Sequence, residues 1–559
     1  MLNKSATSNA GKILYIGLPA VSLLVTGFTS YDPVNVGKMV LAAGIGFSLL
    51  ALTARYGASY LSKNYRSVAI AALLFGLSGL LTSFVSSAPF IQNFYGVFGR
   101  NTGLLTYLGL IGIFIGTLMV IEKSSFEKIV KGLIIAGLLN VFFCALELSG
   151  TNIFGFNNIY GEILGTFGNP NFISSFLGIF TSVLLAYVLG GKYSIWLKLA
   201  TVIIALGTFY EVVTSKSIQG IVVTAIGLAY IGFLAVRNHF KNIGFQIAYL
   251  MGATVAATFA VAGALQVGPL TSIIYKGSVS LRGEYWRAGL KAALDHPFTG
   301  VGFDTYGDWY RRTRSATAMI VPGPDTVTNS AHNVNIDIFS YGGFPVLIPY
   351  LFLLAAAAIA ILRFLIRNKQ YDPIFAALSV GWICYQAQAI ISINQIGLAV
   401  WGWALTGLVI AYEKISRIST EIVTMNTGSK KSKSARDPSS STYLIGVAGF
   451  AVGIIIAFPP FNADATWRTA VKAGSAELVI AAADKWPQDS YRQANIAISL
   501  AQNKLDPQAA EVARKAASHN PDYFDAWKVM AGIPGSTPEE KAKAILEMKR
   551  LDPRNKSIK

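Results

Sequence analysis

"LRGEYWRAGLKAALDHPFTGVGF", residues 281–303, lies between apolar runs and carries arginine, lysine, glutamate, tryptophan and histidine together. What flanks it decides the fold class. A bilayer core takes about 20 apolar residues per helix, and thirteen such stretches can be marked, at 12–30, 37–54, 67–86, 103–121, 126–148, 171–190, 195–213, 217–236, 243–265, 338–362, 373–391, 396–412 and 442–460. The 559 residues are 53% hydrophobic and 13% charged, with a mean hydropathy of +0.50; soluble domains run at roughly 25% charged. The expectation is an all-α polytopic membrane bundle, twelve core spans plus a thirteenth. Lys4 and Lys12 give the first run the look of a secretory signal, but it lacks a small-residue cleavage site and a second span follows at once, so it is read as a retained helix.

Lysine and arginine set the orientation. With the N-terminus inside, every even-numbered connection is basic: Arg55 to Arg66, Lys123 to Lys131, Lys192 and Lys198, Arg237 and Lys241, Arg363 to Lys369, and Lys414 to Arg436. The short odd-numbered connections carry one such residue or none, as outward loops should. The net charge of +18 is then mostly a property of cytoplasmic loops, and no nucleic-acid partner is needed to explain it. The implied partner of the bundle is the lipid bilayer of the cytoplasmic membrane.

The expected organisation is a membrane core at 1–412 with an outward loop at 266–335, a polar cytoplasmic linker at 413–441, a thirteenth span at 442–460 and an outward tail at 461–559. In the tail Pro487, Pro521 and Pro553 recur beside acidic or amide residues, with alanine-rich helical runs between them. That period is similar to tetratricopeptide repeats, helix pairs that serve as docking surfaces for protein partners. Cys144 and Cys384 both fall within spans, and no Cys/His spacing suggests a metal. Neither metal nor cofactor is expected.

Charge at or beside membrane depth tends to mark function. Arg100 stands just before the fourth span, and Lys216 in the tight turn between spans seven and eight, where it can meet an anionic headgroup. In the long loop seven cations (276, 282, 287, 291, 311, 312, 314) face five acids, so clustering is the signal rather than total charge. Arg282, Arg287 and Lys291 are expected to share one broad helical face beside Tyr285 and Trp286. Gly300 and Gly302 suit tight turns and close backbone approach to a ligand. His332 and Asn333 reach the mouth of the tenth span, where a histidine can take a proton near neutral pH and an amide can orient a sugar hydroxyl.

The order of these features resembles the O-antigen ligase and O-antigen polymerase superfamily: Arg282 and Trp286, then "DHPFTGVGFDTY" at 295–306, then His332–Asn333 before an apolar helix, with "TFGNPNFISSFL" at 166–177 opening the sixth span. The resemblance covers roughly residues 12–412. It implies a glycosyltransferase that moves a glycan from polyprenyl pyrophosphate to a glycan, lipid or protein acceptor, without a metal. It implies His332 and Arg282 as catalytic, Arg100, Lys216 and Arg287 with Arg282 as pyrophosphate ligands, and Trp286, Gly300, Gly302 and Asn333 as loop-shaping. Many members have arginine in the turn that here holds Lys216, a point charge rather than a planar fork. A transporter of lipid-linked sugars or a protein O-oligosaccharyltransferase would share the many spans.

Overall fold

The computed structural model describes residues 3–155, 157–274, 277–425 and 439–558. Among the described residues every regular element is helical, and eleven helices are long and apolar enough to cross a membrane. The chain is a multi-pass helical bundle. The two remaining expected spans are helices Lys4–Leu23 and Leu104–Thr117, the latter a shorter apolar helix of 14 residues. The first span begins and ends earlier than the apolar run at 12–30 suggested: Asn3 caps it through Ala6, and the chain turns out at Leu24. The linker is also partly helical. Ile396–Met425 runs beyond the twelfth span and Ser439–Ala473 begins before the thirteenth, while 426–438 and Lys276 of the loop lie outside the described residues.

The connections between spans pair with one another at two ends of the bundle. At one end Lys123 meets Asp372 at 3.4 Å and Arg367 meets Glu413 at 2.8 Å. At the other Lys216 meets Glu162 at 2.6 Å, Arg100 meets Asp304 at 2.9 Å, and Asp464 accepts the Asp32 amide at 3.0 Å. Near this second end Lys38 is fully buried in helix Asn35–Leu52 and donates to the carbonyls of Ser22 and Thr166 at 2.7 and 2.8 Å. A cation at that depth is tolerated because helix ends leave carbonyl oxygens free to receive it.

Helix Val334–Arg367 is broken at Gly342 and Gly343, the latter with φ of +62°. In an apolar medium the freed backbone groups must find partners, and the loop supplies them. Val301 and Gly302 amides donate to the Ser340 and Tyr341 carbonyls at 2.8 and 3.0 Å, and Phe344 donates to the Pro297 carbonyl at 2.7 Å. The loop is therefore plugged into the bundle along the break.

Residues 461–558 seat on the same end. After Ser439–Ala473 come helices Ala476–Ala483, Ser490–Gln502, Asp506–His519, Phe524–Gly532 and Pro538–Leu551, around a core rich in alanine. Trp467 stacks on Tyr31 with ring centres 4.2 Å apart, and Tyr491 stacks on Phe98 at 5.4 Å.

Candidate active site

Helix Gly277–Asp295 packs against Val334–Arg367, and this contact gathers Arg282, Tyr285 and His332. Arg282 is only 7% exposed. Burial pushes its guanidinium down to about 10, and among the described residues Tyr285 is the one charge influence upon it, so no carboxylate compensates. It stays cationic at neutral pH, buried and without a counter-ion. That state is costly unless a ligand supplies the missing negative charge.

His332 is presented by a turn that the sequence reading did not anticipate. Asp337, one turn into the following helix, accepts from the Ser330 hydroxyl at 2.6 Å and the Ala331 amide at 2.8 Å, and Ser330 in turn accepts the His332 amide at 3.0 Å. His332 itself adopts a left-handed φ of +53°, a conformation kept only where surroundings hold it. Its ring centre lies 5.6 Å from that of Tyr285. Burial first, then the charges of Arg282 and Arg100, push the imidazole down to about 3. The expected protonation near neutrality is thus corrected, because a desolvated ring between two cations stays neutral. Its lone pair is available, and an anion bound to those guanidiniums would raise its basicity.

Arg100 is already committed. Its Nε lies 2.9 Å from Asp304 Oδ1 and its Nη1 donates to the Asn329 carbonyl at 2.7 Å. Asp304 also accepts the Val97 amide at 2.9 Å. Arg100 here braces the loop and acts on His332 through its field. Lys216 sits at a φ of +53° with its side chain 74% exposed and paired with Glu162.

Arg287 and Arg282 do not share a face. Residues five apart on a helix are rotated by roughly 140°, so Arg287 projects to solvent and pairs with Glu284 at 3.0 Å. Lys291 likewise pairs with Asp295 at 2.8 Å. Trp286 packs half-buried against the membrane core. Asn333 caps the helix instead of facing a ligand: its Oδ1 accepts from the Asn335 and Ile336 amides at 3.0 and 3.3 Å. The two loop glycines are also used internally. Gly300 has φ of +63° and a Cβ there would lie 2.1 Å from the Tyr341 carbonyl oxygen; at Gly302 it would lie 2.4 Å from Asn93 Oδ1. The close approach is to the broken helix at Gly300 and to the Asn93 side chain at Gly302.

The second arginine cluster binds the tail. Arg314 reaches Asp552 at 2.6 Å with both side chains fully buried, Arg311 reaches the same carboxylate at 3.3 Å, and Arg312 reaches Asp522 at 2.7 Å. Among the residues missed by sequence reasoning, Asp337 left a signal, an acid inside "NVNIDIFSYGGF" at the start of a span. Asp304 left none, since it acts through Arg100, distant in sequence, and Ser330 left none because a loop serine carries no mark of its partner.

Residues 199–351 match the family model described as O-Antigen ligase. No curated protein matches the chain. The match agrees with the resemblance read from the sequence and supports the O-antigen ligase superfamily and, with it, membrane glycan ligation. It takes in Lys216, Arg282, the plugged loop, His332 and the helix break. Arg100 and the tail lie outside it.

Proposed function

We propose that the protein transfers a glycan from polyprenyl pyrophosphate, of the undecaprenyl type, to an acceptor hydroxyl at the outer face of the cytoplasmic membrane, in surface polysaccharide ligation or polymerisation. The observation that carries this reading is a buried arginine with no carboxylate partner beside a neutral histidine, within the segment that matches the ligase family. The acceptor oxygen attacks the anomeric carbon and its proton passes to the His332 ring. The bond to pyrophosphate breaks, and Arg282 meets the charge that grows on the departing oxygen, favouring the transition state over the ground state. The same anion offsets the cations that depress His332, so donor binding would prepare the base. Lys216 and Arg287 are peripheral cations that would exchange their present acids for phosphate. The few lysines and arginines in the short odd-numbered connections support an outward loop and tail.

A transporter of lipid-linked glycans would keep an interrupted helix open onto a midplane cavity. Here the interruption at Gly342–Gly343 is filled by residues 297–302, which disfavours that alternative. The test is transfer from labelled polyprenyl-pyrophosphate glycan by purified protein. Arg282→Ala and His332→Ala are each expected to lower turnover by about 10²-fold or more with unchanged membrane insertion. Undiminished transfer in both variants would reject the assignment.

A further inference from the structure

We propose that a trough between the loop and the tail is an acceptor subsite for a neutral glycan, with carboxylates and amides recognising its hydroxyls and tyrosine and phenylalanine rings supporting its sugar faces. The proposal rests on the transferase reading and deepens it. A cavity of about 250 Å³ is bounded on the loop side by Asp304, Asp308 and Asn329 and on the tail side by Tyr491, Tyr523 and Phe524. A second groove of about 590 Å³ adjoins it, sharing Tyr491, Tyr523 and Asp525 and continuing to Asn495, Gln502 and Lys528.

The inner end of this trough touches the candidate active site. Asp304 is the ion-pair partner of Arg100, and the Asn329 carbonyl accepts from Arg100 three residues before His332. The trough is also a built feature, since the fully buried Arg314–Asp552 pair fixes the tail wall against the loop wall. Asn520 of the tail donates to Asp308 of the loop at 3.0 Å, tying the rim.

Its lining chemistry separates it from the donor pocket. A sugar hydroxyl both donates and accepts, which suits carboxylates and amides side by side, and tyrosine offers an apolar face with a polar tip. The acids of the inner cavity have cations beside them, Asp304 with Arg100 at 2.9 Å and Asp525 with Arg311 at 3.9 Å, so its polar lining is largely charge-paired. A lining whose charges are already paired offers an anion little, whereas Arg282 keeps its charge for one. The arrangement sorts a neutral acceptor from a pyrophosphate donor by charge.

The experiment uses the full chain in lipid nanodiscs, with labelled neutral oligosaccharides cut from the producing cell's own surface polysaccharide as probe. Wild type and His332→Ala are expected to bind the probe equally, while Tyr523→Ala, and separately the near-isosteric Asp525→Asn, weaken binding by about tenfold. Acceptor KM should rise to match, with donor affinity unchanged. Binding without any transfer would sink the transferase reading and leave the subsite standing. Transfer with unaltered acceptor KM in both variants would overturn the subsite alone, as would capture of peptides in preference to glycans by the same trough.

Discussion

The loop holds two arginine groups that look alike as sequence and differ in what the fold gives them. Arg311, Arg312 and Arg314 each meet a tail aspartate, and Asp552 satisfies two of them in full burial. Arg282, buried as well, has no acid among the described residues. A paired cluster spends its charge on holding two parts of the chain together. An unpaired one is stable only when something else brings the anion, so the difference marks Arg282 as a binding group and the later cluster as architecture.

The largest expected effect tests the architectural half. Asp552→Ala leaves Arg314 buried without a carboxylate and Arg311 with only its longer contact to Asp525 at 3.9 Å, which costs about 3–5 kcal/mol; a lowered melting temperature and faster proteolysis of the tail would report it. Unchanged protease resistance would show that the aromatic stacking on Tyr31 and Phe98 holds the tail alone. Next is Gly300→Ala, where a left-handed backbone and the Tyr341 carbonyl leave no room for a methyl group. Backbone strain of this kind costs about 1–3 kcal/mol, and the loss should appear as reduced thermal stability of the membrane core.

A third test follows from protonation. The His332 imidazole is held at about 3 against an ordinary 6.5, so the unfolded chain binds the extra proton between those values. The stability due to its neutral form is present above 6.5 and drains away as pH falls toward 3. His332→Asn should therefore flatten the acid side of the stability profile, read by thermal denaturation across that window; an identical slope in the variant would contradict the depressed value. The smallest effect belongs to Arg287→Ala, which removes an exposed pair worth less than about 1 kcal/mol and should leave stability near that of the wild type.

The bundle was legible because spans are written in long apolar runs, and those runs name the helices within a few residues. Their limits failed where polar residues can still be helical, as at Lys4–Leu23 and beyond Tyr412. Arg282 and His332 could be singled out as chemistry misplaced among apolar neighbours. Their surroundings could not: the brace of Asp304 on Arg100 joins distant segments, and the turn built by Asp337 is set by a local fold that no periodicity marks. Helical phase alone separates Arg282 from Arg287, which spacing had suggested would act together. At Gly300 and Gly302 the neighbours are the Tyr341 carbonyl and the Asn93 side chain, and a sequence does not say whether a ligand or another part of the chain does the approaching.

The most direct test of the account is equilibrium binding of labelled polyprenyl pyrophosphate to Arg282→Gln and Arg312→Gln. Arg282→Gln should weaken binding by about tenfold or more, while Arg312→Gln, whose partner is Asp522, should bind as the wild type does. Equal losses in the two variants, or a loss confined to Arg312→Gln, would contradict the claim that the unpaired arginine is the one that receives the anion.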